Sequence, residues 1–167
     1  LINFKTKKIM AIQIGQKAPD FSLFDSDKNK INLDSFKGNK NVLLLFFPMA
    51  FTGVCTKELC SVRDDISKYE NNQAQVIGIS VDSVFTLAKF KQEQQINFPL
   101  VSDFNKEVSE QFGCIYDSFT DMGMKGVSKR SAFIIDKEGV IQYAEVLESA
   151  GDIPDFEAIN TKLASLN

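Results

Sequence analysis

The sequence predicts an α/β protein, a three-layer sandwich with a β-hairpin added at its amino-terminal side. Three observations predict it. Val42 to Phe47 is an unbroken apolar run halted by Pro48, as a strand covered on both faces requires. A helical apolar period and then a second apolar strand, Ala74 to Val81, follow it in the order of a parallel βαβ unit. Further on, two strand-like runs flank Lys137-Glu138-Gly139, and an amphipathic helix closes the chain.

Taken in order, Phe21 to Phe24 and Ile31 to Leu33 alternate apolar and polar residues around the polar turn Asp25 to Lys30, which predicts the added hairpin. The strand Asn41 to Phe47 comes next. From Thr56 to Tyr69, the residues Leu59, Val62, Ile66 and Tyr69 recur at three- and four-residue steps. Lys57, Glu58, Arg63 and Asp64 fall between them, so one amphipathic helix is predicted with these on its polar side. After the strand Ala74 to Val81, helices are predicted over Val84 to Gln94 and Asn105 to Phe112, with a short strand at Phe98 to Val101 between them. Ser131 to Asp136 and Val140 to Leu147 form the antiparallel pair, Gly139 supplying a turn residue free to take positive φ. Ile153-Pro154 opens the last helix, with Phe156, Ile159, Leu163 and Leu166 on one face. This order of elements is that of a thioredoxin-like sandwich, and one domain is expected over 10–167.

Composition narrows the chemistry. The 167 residues are 44% hydrophobic and 25% charged, with 19 Lys plus Arg against 22 Asp plus Glu, a net charge of -3. That balance offers no basic footprint, so neither nucleic acid nor an anionic membrane is expected as a partner. There is no histidine. A Ser-His-Asp triad, a Cys-His dyad and imidazole-ligated zinc or haem are therefore excluded. The 15 Phe supply the aromatic bulk in a chain without Trp. No apolar run approaches the roughly 18 residues of a membrane span. Three cysteines and no Asn-x-Ser/Thr sequon argue against a disulfide-stapled secreted domain, and a reducing, cytoplasmic setting is expected. Residues 1–9 carry three lysines but no apolar stretch of a signal peptide, and Met10 reads as a natural start. Residues 1–9 are thus expected to be a mobile extension.

Cys55 lies just beyond the strongest strand, at or near the start of the amphipathic helix. There, unpaired amides and the positive end of the helix dipole favour thiolate over thiol. An isolated cysteine is more often a small core residue. The sharp interruption of the strand by Pro48 to Val54 turns the balance toward a site, because the carboxyl ends of such strands are where ligands bind.

The segment Pro48-Met49-Ala50-Phe51-Thr52-Gly53-Val54-Cys55 resembles the Pro-x-x-x-Thr-x-x-Cys motif of the peroxiredoxins, thiol-dependent peroxidases of thioredoxin fold. Ala18-Pro19-Asp20-Phe21 is similar to the family's amino-terminal motif, and Arg130, ahead of Ser131 to Asp136, resembles its active-site arginine. Phe46 to Cys55 and Pro99 to Asp103 look closest to the one-cysteine AhpE-like group. The resemblance implies a reaction without cofactor or metal. The Cys55 thiolate displaces the near oxygen of hydrogen peroxide or an organic hydroperoxide and becomes a sulfenic acid. Arg130 and the amides near Val54 and Cys55 would stabilise the developing anions, Thr52 would orient the peroxide, and Pro48 would cover the sulfur. Taken singly, Arg130 could be a solvated loop charge, Thr52 a helix cap and Pro48 a strand terminator. Implied partners are a thiol reductant, such as thioredoxin, glutaredoxin or a low-molecular-weight thiol, and a second copy in a homodimer, with Phe51 or Phe85 as aromatic anchors. The implied role is antioxidant defence.

Cys60, five positions after Cys55, resembles the resolving cysteine of the PrxQ/bacterioferritin comigratory protein group, a feature that the AhpE-like pattern does not require. A small helix residue is an equal reading. On an intact helix the two Cα atoms are roughly 8.7 Å apart, beyond the ~7 Å that a disulfide spans, so a bridge needs the first turns to unwind. Cys114 reads as core. Asp25-Ser26-Asp27-Lys28-Asn29 opens like a calcium loop, but Lys30 and Phe36 occupy the positions of its glycine and bidentate glutamate, so a turn is expected. A thiol-disulfide oxidoreductase of this fold would use Cys-x-x-Cys, which is not found. A noncatalytic binding module would be indifferent to replacement of Cys55.

Overall fold

The computed structural model describes residues 11–167, so the expected extension over 1–9 lies outside the described residues. Five strands form one sheet in the order β5-β4-β3-β6-β7: β3 (Asn41–Phe46), β4 (Ala74–Ser80), β5 (Leu100–Ser102), β6 (Ser131–Ile135) and β7 (Ile141–Val146). β1 (Ser22–Phe24) and β2 (Lys30–Asn32) pair antiparallel as a separate hairpin. β3–β4 and β4–β5 are parallel, the outcome of helical crossovers, whereas β6 runs antiparallel to both β3 and β7.

The layers follow from strand alternation. Leu43, Leu45 and Phe47 point to a core built with Leu59, Val62, Leu87, Phe90, Ile159 and Leu163. Their neighbours Val42, Leu44 and Phe46 point to the opposite core, with Phe21, Leu33, Val108 and Phe112. Every residue of β3 is buried, which is why its sequence is continuous rather than alternating. Phe46, Phe112 and Phe133 meet with ring centroids 5.1 to 5.7 Å apart, in tilted or edge-on geometry.

The helices are α1 (Gly53–Asp64), α2 (Ile66–Asn71), α3 (Val84–Gln94), α4 (Glu107–Gln111) and α5 (Phe156–Ser165). Four departures from the sequence reading have local causes. The helix expected from Thr56 begins three residues earlier, at Gly53. It breaks at Asp65, whose φ of -100° and ψ of 13° leave the helical range while the apolar spacing continues through Ile66 and Tyr69. Leu33 leaves the hairpin for a 3-10 turn over Leu33–Phe36. Pro154 lies outside α5, because Asp155 is its cap and accepts from the Ala158 amide at 3.0 Å. Gly139 takes φ of 81° in the β6–β7 turn, as expected. Among the described residues no helix is long and apolar enough to cross a membrane.

Candidate active site

The register of the sheet assembles the site. β3 and β6 are antiparallel with Phe46 opposite Ser131, so the residue before β6 lies beside the residues that follow β3. Ser131 is also opposite Val146, which brings the segment after β7 to the same end. Three chain segments thus converge at the carboxyl end of β3: the loop from Phe47 to Thr52 leading into α1, Arg130, and residues 147–151.

Cys55 is the third residue of α1 and is 1% exposed. Arg130 is equally buried and is no solvated charge. Its Nη2 donates to Cys55 Sγ at 3.3 Å and to the Ala150 carbonyl at 3.0 Å. Nη1 donates to Glu58 Oε2 at 2.5 Å. Burial alone would lower the Arg130 pKa, but the Glu58 carboxylate and the Cys55 sulfur reverse that, so the guanidinium is a fixed cation. Leu147 N–H donates to the Arg130 carbonyl, Tyr116 Oη donates to the Glu148 carbonyl, and Lys129 pairs with the Glu148 carboxylate. These bonds hold the 147–151 segment against the arginine.

Glu58 is the functional residue that the sequence reading misplaced. It was expected on the polar side of the helix, yet it is buried and paired with Arg130. The signal was present in the spacing: the stripe of Leu59 and Val62, extended backward at helical steps, passes through Cys55 and Glu58. Burial pushes the Glu58 pKa from 4.5 up to about 7, against the opposing charge of Arg130, and Glu145 adds a smaller push. The folded protein therefore holds this proton more tightly than the unfolded chain. Its stabilising contribution is fully present below 4.5 and is lost as pH rises through about 7. Glu58→Gln, which cannot ionise, is expected to gain on the wild type by about 3 kcal/mol between about pH 5 and about pH 8 in paired urea titrations. A difference that stays flat with pH would contradict this.

Thr52 is the residue that caps α1 in position only. Its backbone is extended, its carbonyl accepts from Thr56 N–H and Thr56 Oγ1, and its hydroxyl donates back to the Met49 carbonyl at 2.7 Å. No side chain among the described residues caps this helix end, so the first-turn amides keep the positive end of the dipole beside Cys55. Pro48 is buried two residues beyond β3.

Cys60 is not gathered into this cluster. It lies on the same intact helix with its thiol directed to Gln94 Oε1, 3.6 Å away at the end of α3. Cys114 is fully buried, and burial pushes its pKa up to about 12 with Ser131 only partly opposing, the state of an inert core thiol. All three cysteines are free. Asp64 and Asp65 are solvated, and Asp25 Oδ1 accepts from the Asp27 and Asn29 amides as a simple turn.

Comparisons with known proteins agree with this geometry. The AhpC/TSA family model matches residues 14–144. Alkyl hydroperoxide reductase E of Mycobacterium tuberculosis is 34% identical over 157 residues, which cover 93% of this chain and 98% of the relative. A putative peroxiredoxin bcp of Coxiella burnetii is 42% identical over 133 residues, covering 79% of this chain and 87% of the relative. The crystal structure of peroxidoxin BcpB from Mycobacterium tuberculosis superposes with a TM-score of 0.82 at 29% identity, covering 93% of this chain and 99% of that one. A buried cysteine at a helix start, bonded to an arginine delivered by the neighbouring antiparallel strand, thus occurs in a chain that belongs to the AhpC/TSA family, the peroxiredoxins.

Proposed function

We propose that this chain is a thiol-dependent peroxidase of antioxidant defence in which Cys55 is the peroxidatic residue. The observation that carries the assignment is the Arg130 Nη2 to Cys55 Sγ contact of 3.3 Å between two side chains withdrawn from water. The Cys55 thiolate attacks one oxygen of the hydroperoxide in line, the O–O bond breaks, and its electron pair leaves on the far oxygen. Sulfur gains an S–O bond and becomes sulfenic acid. The departing alkoxide or hydroxide takes up a proton as alcohol or water. The sulfenic acid then condenses with the Cys60 thiol, releasing one water, and two reductant thiols return that internal disulfide to two thiols while forming one disulfide of their own.

The residues divide the work. Arg130 balances charge on sulfur and on the peroxide oxygens, with its other amino group fixed by Glu58. The Thr52 hydroxyl hydrogen is committed to Met49, which leaves its oxygen to act as an acceptor for a peroxide O–H. Pro48, buried and with no N–H to satisfy, is assigned the role of keeping water from the sulfur. Hydrogen peroxide and organic hydroperoxides are the substrates, and a dithiol protein such as thioredoxin or glutaredoxin, or a low-molecular-weight thiol, is the reductant. We place the enzyme in the cytoplasm and read it as a homodimer, with the exposed Phe51 and Phe85 as the aromatic anchors. Peroxide consumption should stop at one equivalent per chain without a thiol and turn over once one is added. A chain that consumes no peroxide under either condition would refute the assignment.

Cys60 is the internal resolving thiol in this reading. With α1 intact across both cysteines, bridging requires its first turns to open after oxidation. Intact mass after one equivalent of peroxide is expected to show the loss of two hydrogens in the wild type and, in Cys60→Ser, the gain of one oxygen instead. The same added oxygen in both proteins would assign resolution to an external thiol.

A further inference from the structure

We propose that Asp82 is a positioning residue for this peroxidase, acting as a clamp that holds the Pro48–Thr52 loop in its reactive shape; the inference rests on the peroxidase reading above. Asp82 follows β4 and belongs to neither the loop nor α1. Its Oδ2 accepts the Ala50 backbone N–H at 2.8 Å and the Ser80 hydroxyl at 2.7 Å. Ser80 is fully buried, and its Oγ in turn accepts the Asp82 amide at 3.2 Å. The Asp82 carbonyl accepts the Ser102 hydroxyl at 2.6 Å. Asp82 is thus fixed from β4 and β5, and what it reaches out to hold is one amide of the catalytic loop.

The loop needs holding. Phe51, next to Ala50, has φ of 64°, a left-handed conformation that is strained for a residue with a side chain. Its ring is half exposed and meets Phe90 edge-on at 5.2 Å, which by itself ties only the side chain. On one side the backbone is tied by Ala50 N–H to Asp82; on the other, the Thr52 hydroxyl donates to the Met49 carbonyl and the Thr52 carbonyl accepts from Thr56 at the start of α1. A charge-assisted bond to a carboxylate is the stronger kind. Without it the strained Phe51 can relax, and relaxation swings Thr52, one residue on, away from the approach to Cys55. Displacement of an orienting group by about 1 Å costs on the order of a hundredfold in rate.

The test uses full-length wild type, Asp82→Ala and Asp82→Asn with three readouts: single-turnover oxidation of Cys55 by hydrogen peroxide, alkylation of Cys55 by iodoacetamide, and hydrogen exchange at the Ala50 amide. Iodoacetamide needs the sulfur but not an oriented O–H. Asp82→Ala is expected to lose about 10- to 100-fold in peroxide oxidation while alkylation changes by less than about threefold. Asp82→Asn keeps an acceptor oxygen for Ala50 and should recover most of that loss. Ala50 exchange should rise at least about tenfold in Asp82→Ala. Peroxide oxidation of Asp82→Ala within about threefold of wild type, or peroxide and alkylation rates falling by the same factor, would overturn the positioning role. Should wild-type Cys55 fail to react with peroxide, the peroxidase reading falls. Ala50 exchange then still decides the clamp: faster in Asp82→Ala supports it, unchanged overturns it.

Discussion

Cys55→Ser is expected to lose peroxide consumption by at least about a thousandfold, measured as the decay of one equivalent of hydrogen peroxide. No other thiol substitutes for it. Cys114 is sealed in the core with its pKa pushed up to about 12, and Cys60 has its thiol turned toward Gln94 with no guanidinium bonded to it. A serine hydroxyl at position 55 would still receive the Arg130 hydrogen bond, so the fold should survive while the nucleophile is gone. Unfolding of Cys55→Ser should therefore resemble that of the wild type, which separates loss of chemistry from loss of structure. Retention of more than about a tenth of the activity would place the reacting sulfur elsewhere.

Arg130 carries the second large effect. Its fork makes three bonds that diverge from two terminal nitrogens, to Glu58, to Cys55 and to the Ala150 carbonyl. A lysine ammonium keeps the charge but is a point donor and cannot serve all three. Arg130→Lys is expected to lose about a hundredfold in the second-order rate with peroxide, the usual cost of removing one preorganised donor from a developing anion. Arg130→Met goes further, because it leaves Glu58 buried without a partner. Breaking such a pair costs about 3–5 kcal/mol, moderated here as Glu58 takes up a proton. That destabilisation should shrink toward low pH, where Glu58 is neutral in either protein. Urea midpoints measured at low and neutral pH, alongside peroxide rates, read both effects. A Lys variant as fast as the wild type would remove Arg130 from the mechanism.

The fold was legible where burial leaves a pattern in sequence. β3 reads as a strand because both of its faces are covered, and α3 spans the expected Val84–Gln94, with the structure adding Ser83 as the cap of its start, accepting from Thr86 N–H at 3.1 Å. The break at Asp65 was not legible, since the apolar spacing that defines a helix runs through it unchanged. In the site, Cys55 was visible at a helix start, and Pro48, Thr52 and Arg130 through the family resemblance, but their contacts are products of strand register. Nothing local to Arg130 tells that Phe46 faces Ser131. Glu58 was hidden because a carboxylate in an amphipathic helix ordinarily faces water, and only the position of its future partner makes burial tolerable. Asp82 was hidden for a related reason: its partner is a backbone amide, which has no sequence signature.

The most direct test is peptide-resolved mass after exposing the Cys60→Ser protein to a single equivalent of hydrogen peroxide. We expect one added oxygen, reversible by a thiol and confined to the peptide that contains Cys55. An unmodified Cys55, with the oxygen on Cys114 or on methionine instead, would contradict the assignment of this buried, arginine-bonded sulfur as the reacting atom.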